Sequence, residues 1–190
     1  MTDKSGPRPG GRSARVQAAV HQAVRELQRE QGRDGLTVPA VAARAGVTPS
    51  TIYRRWGDLS QLLADVAVEQ LQPEQAPPDT GSFYGDLLAW LEQYFDEMSS
   101  VPGRAMLRDV LGTPGHEGAG KCDGFTRQQI EAIRERAIGR GEQAAEAEQI
   151  ITRVVAPLMY GVLFANQAPS AARMLALVRE VEAARRAGAA

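Results

Sequence analysis

At 190 residues with 43% hydrophobic composition, the chain is long enough to bury the core of one large domain or two small ones, which excludes a wholly disordered protein. The net charge of −1 is unevenly distributed, because residues 1–60 carry ten Lys/Arg against five Asp/Glu and residues 61–190 carry twelve against eighteen. This asymmetry indicates that only the N-terminal third contacts a polyanion. Cys122 is the single cysteine, so an intramolecular disulfide is excluded and a reducing compartment is favoured.

The N-terminus carries no apolar run of the kind found in secretory signals, and residues 1–12 are polar, Gly/Pro-rich and basic. We interpret them as a flexible basic arm that reaches along the phosphates of a polyanion, or as a plain disordered tail, and the two interpretations are compatible. The longest apolar stretch, 154–165, contains Pro157 and is too short to cross a bilayer. The sequence therefore predicts a soluble cytoplasmic protein with no membrane partner.

In chain order, a first helix is predicted over 13–31. A capping pair of Asp58 with Gln61 predicts another helix start after residue 58. The Pro-rich stretch 73–81 is the clearest break in the chain. These signals divide the chain into four predicted parts: the arm at 1–12, a DNA-binding domain with its connecting helix at 13–72, a linker at 73–81, and a larger domain at 82–190.

Beyond the break, apolar residues recur at helical spacing and no segment alternates as a strand would. Helices are predicted over 83–99, around 106–110, over 125–136, over 144–166, and after a cap at Ser170. The Gly-rich stretch 112–124 is expected to form a loop, and Pro157 is expected to kink its helix. The predicted fold is all-α, with about nine helices.

The segment Thr37–Trp56 predicts two short helices joined by a tight turn. Thr37 is a candidate cap for the first helix, and Thr48, with Pro49 at the next position, is the corresponding cap for the second. Gly46 lies where the chain must reverse, because glycine readily reaches the left-handed conformation that ends a helix. The second helix has small residues at its start and basic residues at its end, which suits insertion into the major groove of DNA.

The same segment resembles the N-terminal DNA-binding domain of TetR-family repressors, through the pattern Thr37-x(4)-Ala42-x(2)-Ala45-Gly46-Val47-Thr48-x(2)-Thr51-x-Tyr53-Arg54-x-Trp56. The resemblance covers about residues 15–72. One departure is Leu59, which stands where the family usually has a phosphate-contacting lysine. The resemblance implies a three-helix DNA-binding domain followed by a helical domain for ligand binding and dimerisation.

The resemblance also assigns candidate DNA contacts. Thr37, Thr48 and Tyr53 are expected on phosphates, while Ser50, Thr51 and Arg54 are candidates for base edges. Arg55 is a candidate for either role, since an arginine at a base edge favours guanine. Ile52 and Trp56 are expected to hold the second helix in place.

The last two predicted helices carry more apolar surface than one helix pair needs to bury. In the TetR family the corresponding helices form a four-helix bundle across a two-fold axis, so the resemblance implies a homodimer. The alternative is an ordinary core pair in a monomer. A dimer would place two recognition helices about one DNA turn apart, on a palindromic operator.

Bulky apolar and aromatic residues of the C-terminal part are candidates for a small-molecule cavity, although they also suit a plain core. The candidate ligand-binding residues are Trp90, Tyr94, Phe95, Met98, Met106, Phe125, Met159 and Tyr160.

Other signals for chemistry are weak. Residues 115–122 nearly match a phosphate-binding loop, but Cys122 replaces the required hydroxyl and no strand precedes them. His21 and His116 have no metal-ligand spacing, and a surface or loop position is expected for both. Lys121 beside Cys122 could lower the thiol pKa, although an unreactive cysteine is the simpler interpretation. We predict no cofactor, no metal site and no catalytic residues.

Together these observations predict a TetR-like transcriptional regulator, a repressor that a small-molecule effector releases from double-stranded DNA. Twenty arginines against two lysines are typical of a GC-rich bacterial genome. The alternatives are a DNA-binding regulator without an inducer and a small helical enzyme or carrier.

Overall fold

A computed structural model describes residues 11–113 and 117–188, which form nine helices and no strand, as predicted. The helices are α1 (Gly11–Gln31), α2 (Val38–Ala45), α3 (Pro49–Trp56), α4 (Leu59–Gln70), α5 (Phe83–Ser99), α6 (Val101–Leu111), α7 (Glu117–Gly139), α8 (Ala147–Phe164) and α9 (Ala171–Gly188). Of the predicted arm, residues 1–10 lie outside the described residues, whereas Arg12 belongs to the first turn of α1. The chain separates into two compact units, 1–66 and 67–190, whose division falls inside α4.

The N-terminal unit is built around the buried faces of its short helices. Ile52 of α3 and Val41 of α2 are completely buried, and Leu59 packs at the edge of the same core. Burying one such aliphatic side chain stabilises the fold by roughly 2 kcal/mol. Leu59, which stands where the TetR-like pattern usually has a lysine, therefore contributes to packing.

The predicted turn chemistry of this unit is confirmed at three places. The Thr37 hydroxyl accepts a hydrogen bond from the Ala40 N–H at 3.2 Å, and the Asp58 carboxylate accepts one from the Gln61 N–H at 2.8 Å. Gly46 ends α2 with a φ of 67°, in the left-handed region that favours glycine. These caps fix where each short helix begins and ends.

The C-terminal unit has its own core, formed chiefly by α5, α7, α8 and α9. Its fully buried members include Leu91, Phe95, Ile130 and Val154. The Ser82 hydroxyl accepts a hydrogen bond from the Gly85 N–H at 3.1 Å, which caps α5 at its predicted start.

Helix α6 begins at Val101, earlier than the helix predicted around residues 106–110, because residues 101–103 form its first turn. The Ser100 hydroxyl caps α6 by accepting a hydrogen bond from the Gly103 N–H at 3.0 Å. A Cβ atom on Gly103 would lie only 2.0 Å from the Glu97 carbonyl oxygen and 3.1 Å from the Met98 Cα. The close crossing of α5 and α6 therefore requires glycine at this position.

The expected loop over residues 112–124 was wrong for its second half, since α7 begins at Glu117. Glycines cost about 1 kcal/mol each inside a helix, which is why composition favoured a loop. Packing outweighs this cost, because Ala119 and Cys122 of the first turns of α7 pack against the apolar cluster that contains Val68 and Val110. Gly115 and His116 lie outside the described residues.

Helix α8 contains a π-helical stretch, Ile151–Val155, immediately before the residues around Pro157. Proline lacks the N–H that an α-helix needs, so a local change in hydrogen bonding is expected there. By length and composition alone, α8 is the one described helix that could cross a membrane. Its buried row, which includes Val154 and Leu158, belongs to the core of the C-terminal unit.

Candidate DNA-binding surface and ligand cavity

The exposed side of α3 carries most of the predicted DNA contacts. Ile52 and Trp56 face the core, whereas Ser50, Tyr53 and Arg54 are exposed. The structure thus separates the anchoring residues of α3 from those that are free to reach a ligand. This pattern follows from helical geometry, because residues four apart lie on the same face.

At the start of α3, three hydroxyl groups lie close together. The Thr48 hydroxyl lies 2.9 Å from that of Ser50 and 3.0 Å from that of Thr51. Thr48 occupies the cap position but forms no side-chain bond to a backbone N–H, so its predicted capping bond was wrong. The hydroxyl cluster and the N–H groups of this helix end instead form a polar surface suited to phosphate oxygens.

The two arginines of α3 have different surroundings. Within the described part of the chain, Arg54 makes no hydrogen bond or ion pair and is fully available to a ligand. Arg55 donates hydrogen bonds to the Ser13 carbonyl at 2.9 Å and hydroxyl at 2.8 Å, and also to the Gln17 amide oxygen. Its guanidinium also lies 5.1 Å from the centre of the Trp56 ring. Arg55 therefore ties α3 to the start of α1.

A carboxylate on α4 holds the other end of α3. Asp65 Oδ2 accepts hydrogen bonds from Trp56 Nε1 at 2.8 Å and from Gln17 Nε2 at 3.3 Å, and it lies 3.0 Å from His21 Nε2. His21 is completely buried, so its expected surface position was wrong. The missed signal was its place in the helix, three residues before the buried Val24 and next to Val20.

Helix α2 is tied to α1 by an ion-pair cluster. Arg44 contacts Glu30 at 2.7 Å and Glu26 at 3.2 Å. The Arg44 hydrogen bond lowers the pKa of the Glu30 carboxyl below its usual value. Because the pairs are exposed, their main effect is to orient α2, and they add little stability.

The C-terminal unit contains a cavity of about 440 Å³ between α5, α7 and the segment 70–77. Helix α5 contributes Trp90, Gln93, Tyr94, Glu97 and Met98, whose spacing places them on one helical face. Helix α7 contributes a second face with the spacing i, i+3, i+4, i+7, and Leu107 of α6 adds to the wall. The residues from α7 are Cys122, Phe125, Thr126 and Gln129.

Four of the eight predicted ligand residues line this cavity: Trp90, Tyr94, Met98 and Phe125. Phe95 lies in the core, while Met106 and Met159 are half-buried beside other apolar residues. Tyr160 is 66% exposed and stands outside the cavity. The polar lining residues of α5 were missed, although their spacing from Trp90 places them on the same helical face.

Burial shifts the pKa values of three cavity groups in the same direction. It raises the pKa of the Glu97 carboxyl and of the Cys122 thiol, and it raises the pKa of the Tyr94 phenol against a weaker opposing effect of Thr126. The alternative in which Lys121 lowers the Cys122 pKa is therefore wrong, and the simpler interpretation of an unreactive cysteine fits the raised pKa. Cys122 and Tyr94 are neutral near pH 7, which does not favour a reactive thiolate.

Residues 73–77 of this cavity wall belong to the segment predicted to be a linker. Arg136 donates hydrogen bonds to the carbonyls of Pro77, at 3.2 Å, and Pro78, and Gln129 donates to the Gln75 carbonyl at 3.3 Å. The segment is thus fastened to α7, which explains why it has a defined position despite containing little regular structure.

The buried carboxylate of Asp86 also links the end of this segment, at Thr80, to α7. Asp86 accepts hydrogen bonds from the Thr80 N–H at 2.5 Å and hydroxyl at 2.8 Å, and contacts Arg136 and Arg140 at 3.1 Å each. Burial alone would raise the Asp86 pKa, but the hydrogen bonds from Thr80 and Arg140 and the nearby charge of Arg136 lower it overall. Asp86 is therefore ionised and structural.

Within the described ranges, no three His, Cys, Asp or Glu side chains are grouped so that they could hold a metal ion. The arrangement offers an exposed polar helix face in one unit and a mixed aromatic and polar cavity in the other.

Comparison with known sequences also divides the chain into an N-terminal and a C-terminal part. The family model for bacterial regulatory proteins of the tetR family matches residues 21–66, and the model for the Tetracyclin repressor-like C-terminal domain matches residues 77–181. The second match alone covers more than half of the chain.

The chain belongs to the TetR family. Among its relatives is Rv1556, an uncharacterized HTH-type transcriptional regulator of Mycobacterium tuberculosis, which is 30% identical over 161 residues covering 82% of this chain and 80% of the relative. The HTH-type transcriptional regulator AqdR of Rhodococcus erythropolis is 33% identical over 151 residues, or 78% of this chain and 72% of AqdR. Both relatives are described as HTH-type transcriptional regulators.

Solved structures show the same fold. The TetR family transcription regulator SCO0332 matches with a TM-score of 0.62 and 26% identity, over 86% of this chain and 94% of that protein. A TetR-family regulator from Mesorhizobium loti matches with a TM-score of 0.63 and 17% identity, over 92% and 98% of the two chains.

Proposed function

We propose that this TetR-family regulator is a cytoplasmic homodimeric repressor, which binds a palindromic operator and is released by a small molecule in the C-terminal cavity. The observation that carries the DNA-binding part is the exposed face of α3. Its anchors, Ile52 and Trp56, are buried, while Arg54 is exposed and makes no ionic contact with another described residue.

The exposed hydroxyls of α3 and its preceding turn support binding to phosphates and base edges. Thr37 positions the start of α2, and Thr48, Ser50, Thr51 and Tyr53 lie on or beside the recognition helix. Arg54 is the first candidate for reading guanine through its bidentate donors. We assign Arg55 to orienting α3, because its guanidinium already contacts α1.

Dimerisation is supported by apolar surface on α8. Tyr160, Leu163 and Phe164 are 66%, 38% and 74% exposed, and the rings of Tyr160 and Phe164 lie 4.9 Å apart. Contiguous exposed apolar groups of this kind mark protein interaction sites. We propose that they pack with α9 against the same surface of a second copy.

Ligand release is supported by the position of the cavity wall. Gln70 ends α4 and lines the cavity, as does Leu71, so a bound molecule contacts the end of the helix that begins in the DNA-binding unit. Binding that shifts α4 would favour a state with weaker DNA affinity. Such coupling is reciprocal, so operator DNA would weaken ligand binding by the same factor.

The test is to select bound duplexes from a random pool with the full-length protein. The proposal expects an enriched palindrome that two chains bind together, and a half-site that binds much more weakly. Transcription in vitro from a promoter that carries the selected sequence should fall as the protein is added. A non-palindromic sequence bound by one chain, or rising transcription, would contradict the proposal.

A further inference from the structure

The described residues that line the cavity carry negative charge only. Glu74 and Glu97 are among them, and no described lysine, arginine or histidine is. Neither carboxylate has a hydrogen-bond or ion-pair partner among the described residues. An anionic ligand would therefore meet repulsion without a compensating base, whereas a cation would supply the missing partner.

The cavity also presents aromatic faces beside these carboxylates. Trp90 and Tyr94 stack with ring centres 5.1 Å apart and planes inclined by 19°, and Phe125 lies on the α7 side. Glu97 is one turn beyond Gln93 and Tyr94 on the same face of α5. A cation over or beside an aromatic ring is attracted by the negative ring face.

The neutral groups of the lining do not change this charge balance. Tyr94 and Cys122 stay protonated near pH 7, as shown above, and the lining glutamines supply uncharged donors and acceptors. Partial burial also raises the pKa of the Glu97 carboxyl, although the side chain keeps an exposed portion. A bound cation would oppose this rise, because an opposite charge favours the ionised carboxyl.

We propose that the cavity selects organic cations with an aromatic body, such as quaternary ammonium or protonated amine compounds, over neutral and anionic compounds of the same shape. This inference rests on the ligand-binding role proposed above and adds the chemical class of the ligand. Glu97 supplies the charge preference, and the Trp90–Tyr94 stack supplies the surface for the ring.

The test is calorimetric titration of the full-length protein, without DNA, with three naphthalene derivatives. The probes are (1-naphthylmethyl)trimethylammonium, 1-naphthalenemethanol and 1-naphthaleneacetate. We expect the cation to bind about tenfold more tightly than the alcohol, and the anion to bind most weakly. Equal binding of the three probes, tighter binding of the alcohol or the anion, or no binding of the cation at millimolar concentration would overturn the proposal.

Two isosteric variants show whether the preference comes from the cavity. Glu97→Gln should reduce the affinity for the cation about fivefold or more and leave that for the alcohol unchanged. Asp96→Asn is the matched control, because Asp96 precedes Glu97 on α5 and is exposed as Glu97 is, but it does not line the cavity. An equal effect of the two variants on the cation would contradict the assigned role of Glu97.

The same probes then separate this inference from the proposed function. If the cation binds as expected but does not release the protein from its selected duplex, the inferred ligand class is supported and the proposed release by ligand is wrong. If the alcohol or the anion binds more tightly than the cation and releases the protein from the duplex, the proposed release by ligand is supported and the cation preference is wrong.

Discussion

The indole N–H of Trp56 donates a hydrogen bond to the carboxylate of Asp65 at 2.8 Å, joining the last residue of α3 to α4. The same oxygen lies 3.0 Å from the buried His21 ring nitrogen. One carboxylate thus fixes the end of α3 against two other helices. The orientation of the exposed α3 side chains depends on this buried contact as much as on their own chemistry.

Trp56→Phe keeps an aromatic ring but removes the donor to Asp65. We expect the free energy of unfolding to fall by about 1–2 kcal/mol, because a hydrogen bond to a charged group is lost and the carboxylate keeps fewer partners. Urea unfolding followed by circular dichroism measures this. Tyr53→Phe is the control on the same helix, since Tyr53 is 50% exposed, and its change should stay within about 0.5 kcal/mol. Equal losses in the two variants would contradict the assigned role of the Trp56–Asp65 bond.

Arg54→Ala should reduce affinity for the selected operator by about tenfold or more and relax its preference for one base position, because a base contact is lost. Stability should be unchanged, since Arg54 makes no ionic contact with another described residue. The measurement is a fluorescence anisotropy titration at fixed salt against the operator and single-base variants. Arg108→Ala, which changes an exposed arginine of α6, should bind as the unaltered protein does.

Arg55→Ala should behave differently, because Arg55 is tied to Ser13 and Gln17. We expect a loss of about 0.5–1 kcal/mol in unfolding free energy, and DNA binding weakened by a similar factor for every sequence. A relaxed base preference in Arg55→Ala, with the preference of Arg54→Ala intact, would reverse the two assignments.

Asp86→Asn should lower the free energy of unfolding by about 2–3 kcal/mol, because Arg136 and Arg140 lose a buried partner. The Asp86 pKa lies below its ordinary value of 3.8, so its contribution is present above that pH and is lost as the pH falls below it. Unfolding measured from about pH 7 to about pH 3 should show a smaller acid-induced loss in the variant.

Asp79→Asn is the matched control for this site. Asp79 contacts the same two arginines, at 3.2 Å from Arg140 and 3.8 Å from Arg136, but its side chain is 58% exposed. Its loss should cost less than about 0.5 kcal/mol. Equal losses of unfolding free energy in Asp79→Asn and Asp86→Asn would show that burial of Asp86 does not increase its contribution to stability.

Phe164→Glu should dissociate the proposed dimer, because a charge replaces a 74% exposed apolar ring of the surface proposed to pair. Sedimentation equilibrium at micromolar concentration should then return the mass of one chain, 20.4 kDa. Ile138→Glu alters an equally apolar, 58% exposed residue of α7 and should leave the dimer intact. A monomer in the unaltered protein would refute the dimer itself.

The parts of the fold that depend on neighbouring residues could be predicted from the sequence. Helix α5 has its expected bounds, because the residues that define them are local. The cap, Ser82, directly precedes the helix, and the apolar residues that repeat at helical spacing lie within it. The predicted start of α7 was too late, because its first turns are held by packing of Ala119 and Cys122 against a cluster that contains Val68, which is distant in sequence. Local periodicity contains no information about such contacts.

The candidate site shows the same division. Trp90, Tyr94, Met98 and Phe125 could be selected for size and apolar character, and they line the cavity. The wall at 70–77 could not be foreseen, because its position depends on carbonyl contacts to Arg136 and Gln129 more than fifty residues away. The DNA contacts of α3 stay predictions that the exposure of the helix supports.

The close crossing at Gly103 limits how the proposed ligand preference of the cavity can be changed. Any side chain there would meet the backbone of Glu97 and Met98, so it would displace the cavity-lining end of α5 as a whole. A mutant library that aims to turn the regulator into a sensor for another compound should vary side chains such as Gln93 and Phe125 and leave residue 103 unaltered. Selected variants would then differ in ligand chemistry and share one backbone.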